Sequence, residues 1–211
     1  TTILTITINP NMPPTVALTV SSTVGTAPLT VSFTATASDP DGSIAQYRWD
    51  FNGDGFIDLT TLTGATTFTY TTPGAYLVQV IAVDNLGATA SAYAVVSVSS
   101  LPLPGNQPPV VSLVASPTSG PPPLYVTFTA TASDPDGSIT EYRWDFTGGH
   151  TETITTTTGT ASYTYKVPGV YLAQVTIVDD RGATAFASSI ITVESFAVTE
   201  RELGKWGCGC T

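Results

Sequence analysis

The chain repeats itself without a gap at a spacing of 95 residues: Asp39 falls on Asp134, Trp49 on Trp144, Pro73 on Pro168, Asp84 on Asp179 and Gly87 on Gly182. From Phe33 to Phe51 the match to Phe128 to Phe146 is broken only at Ala45/Thr140 and Gln46/Glu141. Self-similarity at one fixed period means a single supersecondary design used twice, and any fold assigned to the chain must respect it. The repeat divides the 211 residues into an N-terminal extension (1–12), a first module (13–100), a linker (101–107), a second module (108–195) and a C-terminal tail (196–211). Each copy is long enough to bury a core of its own. The linker, Leu101-Pro-Leu-Pro-Gly-Asn-Gln107, carries prolines that favour a short, semi-extended connection.

Within the first copy Leu29, Val31, Phe33, Ala35 and Ala37 alternate with Thr30, Ser32, Thr34 and Thr36, the period of two that a strand shows when one face is buried. Tyr47, Trp49 and Phe51 form a second same-face set, and further strands are expected over 65–71, 75–84 and 89–98. Asp-Pro-Asp-Gly, Pro73-Gly74 and Asn85-Leu86-Gly87 punctuate them as turns. About seven short strands per copy without helical periodicity predict an all-β chain of two tandem immunoglobulin-like β-sandwiches, flanked by an N-terminal strand and a C-terminal tail. The cysteines are Cys208 and Cys210, both in the tail, so no disulfide ties the two sheets of either sandwich together.

Sixteen acidic side chains against 6 basic give a formal charge of −10. Nucleic acid is a poor partner for such a chain, because phosphate binding needs clustered Lys and Arg. An acidic surface suits solubility or a divalent cation. No apolar run approaches the roughly 20 residues that span a bilayer as a helix. Catalysis has little to stand on: His150 is the sole histidine, it sits in a Gly/Thr-rich turn, and no Ser-His or Cys-His pairing follows from spacing. The acidic loops could supply a carboxylate pair for glycoside hydrolysis, but they are duplicated with the scaffold, as structural residues would be and a single active site would not. The expectation is a chain that is not an enzyme.

Ser38-Asp-Pro-Asp-Gly-Ser-Ile44, Tyr47-Arg-Trp-Asp-Phe51, Tyr70-Thr-Thr-Pro-Gly-Ala-Tyr76 and Val83-Asp-Asn-Leu-Gly87, in that order, resemble the motifs of a PKD (polycystic kidney disease) domain. Their counterparts at 133–139, 142–146, 165–171 and 178–182 resemble it again. The resemblance implies a secreted or cell-surface β-sandwich used as a spacer, adhesion or binding module in surface proteins and secreted hydrolases. The fold itself does not specify which.

The most informative polar set is Asn11, Asp39, Asp41 and Asp84, repeated as Asn106, Asp134, Asp136 and Asp179. In an immunoglobulin-like sandwich the approach to the first strand and two of the loops share one pole, so these oxygens can converge on the hard, multi-oxygen site that calcium prefers. Some PKD-like modules resemble this arrangement, with calcium bound where the preceding linker enters. Equally, Asp39 and Asp134 could cap turns while Asp84 and Asp179 accept backbone N–H groups. A weaker set is Asp50, Asn52, Asp54 and Asp58, which matches the start of an EF-hand loop. Thr61 stands where that loop needs a bidentate Glu, and the second copy loses the pattern, so a plain hairpin competes with a cation loop. Cys208 and Cys210 are candidates for a disulfide, a link to another chain or a soft-metal site.

Two functions compete. One is a structural subunit of an extracellular filament or cell-surface assembly, self-associating into a homopolymer head to tail. Residues 1–8, with Leu4, Ile6 and Ile8 on one face, would either pair with a neighbouring subunit's sheet edge or extend the first strand and pack on their own module; in the first case outward-facing Leu77, Ile81 and Val83 would add a contact. The other is an accessory or adhesion module, derived from a larger secreted hydrolase or adhesin, that binds polysaccharide or a surface protein.

Overall fold

The structure, a computed structural model, describes residues 10–100, 104–148 and 153–195. Every regular element in it is a strand, and the two copies of the repeat fold alike. In module one, β1 (Thr15–Val20), β3 (Leu29–Ser38) and β6 (Ala65–Tyr70) make a three-stranded sheet, with β3 in the middle. Facing it, β2 (Val24–Thr26), β8 (Thr89–Ser99), β7 (Gly74–Asp84), β4 (Ile44–Asp50) and β5 (Leu59–Thr61) lie in that order. Module two repeats the plan. Its small sheet is β9 (Val110–Ser116), β11 (Leu124–Ser133) and β14 (Thr160–Tyr165). Its large sheet holds β10 (Ser119–Gly120), β12 (Ile139–Asp145), β13 (Thr153–Thr156), β15 (Gly169–Asp179) and β16 (Thr184–Val193).

The period-two reading of β3 translates directly into the sandwich. Val31, Phe33 and Ala35 point into the core while their threonine neighbours face solvent. Trp49 and Phe51 from the β4 region meet them, and Tyr76, Val78, Val80 and Ala82 supply the opposite wall from β7. A continuous aromatic chain runs through the core: Phe33 to Phe51 at 5.3 Å, Phe51 stacked on Phe68 at 4.6 Å, Phe68 to Tyr70 at 4.9 Å and Tyr70 to Tyr76 at 4.5 Å. Module two copies it through Phe128, Phe146, Tyr163, Tyr165 and Tyr171. The polar ends of these rings are spoken for. Trp49 Nε1 donates to Thr61 Oγ1 at 3.0 Å, and the Tyr70 hydroxyl donates to the Phe51 carbonyl at 3.0 Å, as buried Trp and Tyr normally require. Gly64 accepts from Ala35 N at 2.6 Å and lies so close that a Cβ there would collide with the Ala35 carbonyl. Gly159 stands in the same relation to Ala130.

Among the described residues each module has eight strands, one more than the seven or so expected. The additional strands are β2 and β10, which run parallel to β8 and β16, with Val24 opposite Ser97 and Ser119 opposite Thr192. Segments of two or three residues are too short to display alternation, so pattern reading passes over them.

The two modules pack against each other through the outer faces of their large sheets. Leu77, predicted to face outward from β7, does so and is only 4% exposed, because it lies with Ala75 and Val95 against Leu172, Val170 and Phe186 of module two. Ile81 is half-buried and Val83 is buried on the same outer face.

Candidate functional site

The strongest candidate is the pole of each sandwich where the chain enters. The turn after β7 is organised by Asp84: Oδ1 accepts from Leu86 N at 2.8 Å and Ala88 N at 2.9 Å, leaving Oδ2 for the Asn11 side-chain amide at 2.9 Å. Asp41, in the turn between β3 and β4, accepts from Met12 N at 3.2 Å. The residues just before β1 are therefore fastened to both loops of the pole. Module two is built the same way. Asn106 donates to Asp179 Oδ2 at 2.8 Å, Gln107 N donates to Asp136 Oδ1 at 3.1 Å, and Asp179 Oδ1 accepts from Arg181 N and Ala183 N. The sequence-predicted residues thus come together as one cluster per module, and the linker end at Asn106 belongs structurally to module two.

The electrostatics of the cluster divide its carboxylates. Burial alone would raise Asp84 and Asp179. The hydrogen bonds from Asn11 or Asn106 and from the turn N–H groups outweigh it, so both carboxyls are held below the usual 3.8. Asp39 is pushed the other way. Desolvation raises it, the Asp41 N–H bond opposes, and the neighbouring Asp41 and Asp84 carboxylates raise it further. Among the described residues three acceptor atoms in these poles are buried with no donor: Asp39 Oδ2, Asp134 Oδ2 and Asn106 Oδ1, the last on a residue 8% exposed. Buried acceptors without donors are costly and ask for a water or a cation. Hard oxygen donors of this kind fit calcium chemically. As the side chains stand, no group of three or more His, Cys, Asp or Glu among the described residues is arranged to hold a metal.

The EF-hand-like stretch folds on itself. Asp50 Oδ1 accepts from Asn52 N and Gly53 N, its Oδ2 accepts from Gly55 N at 2.9 Å, and Asp58 Oδ2 accepts from Phe51 N at 2.7 Å. Asn52 Oδ1 and Asp54 Oδ1 accept from Asp54 N and Phe56 N in the same manner. These side chains serve as turn acceptors, and burial pushes Asp50 up despite those bonds. Among the described residues module two keeps the first part, with Asp145 Oδ1 accepting from Thr147 N and Gly148 N.

Leu4, Ile6 and Ile8, His150, and Cys208 and Cys210 lie outside the described residues. One functional side chain was missed in the sequence. Arg181 donates to Asp136 Oδ2 at 2.8 Å and to the Gly105 carbonyl at 3.3 Å, adding a clamp on the linker that module one, with Leu86 in that position, lacks. The available signal was the Leu86/Arg181 difference, one of two in this motif beside Asn85/Asp180. No helix among the described residues is long and apolar enough to cross a membrane.

Comparison with known proteins finds relatives of both modules. Pre-pro-metalloprotease PrtV of Vibrio cholerae is 31% identical over 155 residues, which is 74% of this chain but 15% of that protein, so the chain spans a small part of the curated relative's length. The crystal structure of the PKD1 domain from that protease shares 29% identity and covers 42% of this chain and 100% of its own, with a TM-score of 0.36. The PKD1 domain of Vibrio anguillarum Epp shares 28% identity, covers 43% of this chain and 99% of its own, and scores 0.36. The PKD domain family profile matches residues 15–97 and 110–192, the two sandwiches in turn. One match falls on each sandwich and together they cover most of the chain, which therefore belongs to the PKD domain family.

Proposed function

We propose that this tandem is a non-catalytic accessory segment of a larger secreted protein, one that positions a neighbouring part of that protein on a polysaccharide or protein surface. One observation carries the reading. In both modules the polypeptide just before the first strand is tied by an Asn–Asp hydrogen bond and a backbone N–H bond into the loops of the sandwich, so the direction of chain entry is built into the fold. A spacer needs that property and a free-standing catalyst does not. The relation to a protease fifteen per cent of whose length is matched supports an accessory place in a longer chain.

Calcium strengthens the proposed role. Asn11, Asp39, Asp41 and Asp84 would hold it in module one, and Asn106, Asp134, Asp136 and Asp179 in module two. The ion would supply the charge that Asp39 Oδ2, Asp134 Oδ2 and Asn106 Oδ1 lack, and it would stiffen each entry point. The test has two arms. Thermal melts with calcium and with chelator should show a calcium-dependent rise in Tm, and co-sedimentation with insoluble polysaccharides should retain the protein. Identical melts would remove calcium from the account. Failure to bind any polysaccharide or cell-surface extract, with calcium present, would remove the positioning role.

A further inference from the structure

The contact between the modules is made by residues that correspond to each other in the repeat. Leu77 of β7 meets Leu172 of β15, its own counterpart, and Ala75 and its counterpart Val170 lie in the same cluster. Gly53 and Gly148, another corresponding pair, also come together: a Cβ on Gly148 would sit 3.1 Å from the Gly53 carbonyl oxygen. A surface that touches its own repeat-equivalent is self-complementary, as the patch of a two-fold dimer is. Backbone chemistry adds to the apolar contact. The β4 ladder along β7 ends at Gln79, and Ala75 lies beyond it. The Ala75 N–H is satisfied instead from module two, by Gln174 Oε1 at 2.7 Å, and Gln174 is itself buried and donates to Thr176 Oγ1. Symmetry is broken on the other side. Gln79, the counterpart of Gln174, donates to Ser91 and Tyr93, and Phe186 stands where module one has Ser91.

We propose that the outer faces of β7–β8 and β15–β16 form a self-complementary docking surface, closing the tandem on itself within one chain and, once opened, exchanging its partner for the same surface of a second copy. The short linker gives the intrachain contact an effective concentration of about 1 mM. If the closed form is favoured tenfold or more, the same faces on separate chains must bind with a Kd below about 0.1 mM. Closed chains remain monomeric because the contact within the chain wins.

The experiment uses the full chain under reducing conditions, which keeps Cys208 and Cys210 from cross-linking. Leu77→Glu spoils the face of module one and Leu172→Glu that of module two. Both residues lie outside the sandwich cores. Phe186→Ser, which installs the residue of module one, is a second variant should either glutamate prevent folding. Small-angle scattering should show a compact parent and a larger radius of gyration for each variant. At a few tenths of a millimolar, mixing the two glutamate variants should give a species of twice the chain mass by sedimentation, because each supplies the face that the other lacks. Dimers of either variant alone, through its one intact face, would equally support self-complementarity. An extended parent, a variant as compact as the parent, or a mixture that stays monomeric beside a compact parent would overturn the proposal.

Discussion

Replacing Tyr70 by Phe removes one oxygen from the centre of module one and nothing else. Tyr70 is 2% exposed, its ring packs between Phe68 and Tyr76, and its hydroxyl donates to the Phe51 carbonyl just past the end of β4. Phenylalanine keeps the ring and its contacts, so the cost is that of leaving a buried carbonyl without its donor, about 1–3 kcal/mol. For a module of this size about 1 kcal/mol shifts Tm by about 4–8 °C, which puts the expected loss near 10 °C. Tyr165→Phe should do the same to module two, where the corresponding bond to the Phe146 carbonyl is 2.7 Å. Tyr93→Phe is the control: Tyr93 is 40% exposed and accepts from Gln79, so its change should stay within about 0.5 kcal/mol. Differential scanning calorimetry reads all three. The reasoning has an independent check in alkaline titration. Burial raises Tyr70 and Tyr165 well above the usual 10.0, so the neutral phenols stabilise the fold fully below that value, and the contribution is lost as pH climbs through their folded values. A Tyr70→Phe shift under about 2 °C, equal to that of Tyr93→Phe, would show that the hydroxyl bond contributes no more than a surface one.

Three further outcomes follow from the same geometry. Asp39→Asn should raise the melting temperature of metal-free protein, since burial and neighbouring carboxylates disfavour its charge, while shrinking any calcium-dependent rise; thermal melts with chelator and with calcium read both effects. Asp84 and Asp179 sit below 3.8 in the fold, so their contribution is present above 3.8 and lost as pH falls below it. Denaturant titrations at about pH 5 and about pH 2 should show Asp84→Asn and Asp179→Asn flattening that acid loss. Ile177→Ala, at a fully buried core position, should cost module two about 2–5 kcal/mol and leave module one's core intact, which hydrogen exchange resolved by residue would check.

How much of this was legible beforehand differs between levels. Alternation of apolar residues with threonine identified β3 and its inward face, and the same rule put Leu77 on the outer face of its strand, which leaves Tyr76, Val78 and Val80 to the core, because side-chain direction in a strand depends only on position along it. Paired motifs at a constant spacing established two copies of one sandwich before any contact was known. The gathering of Asn11, Asp41 and Asp84 also followed once the sandwich was assumed, since topology brings those segments to one pole. Other features needed the folded chain. The parallel pairing of β2 with β8 involves three residues, too few to carry a pattern. Whether the Asp50 carboxylate faces a cation or backbone N–H groups depends on the path of the loop, which Gly53 and Gly55 set through positive φ values. What covers Leu77 is a question about a surface 95 residues away. Local pattern records that a side chain points outward, but only the tertiary arrangement determines that Leu172 is there to meet it.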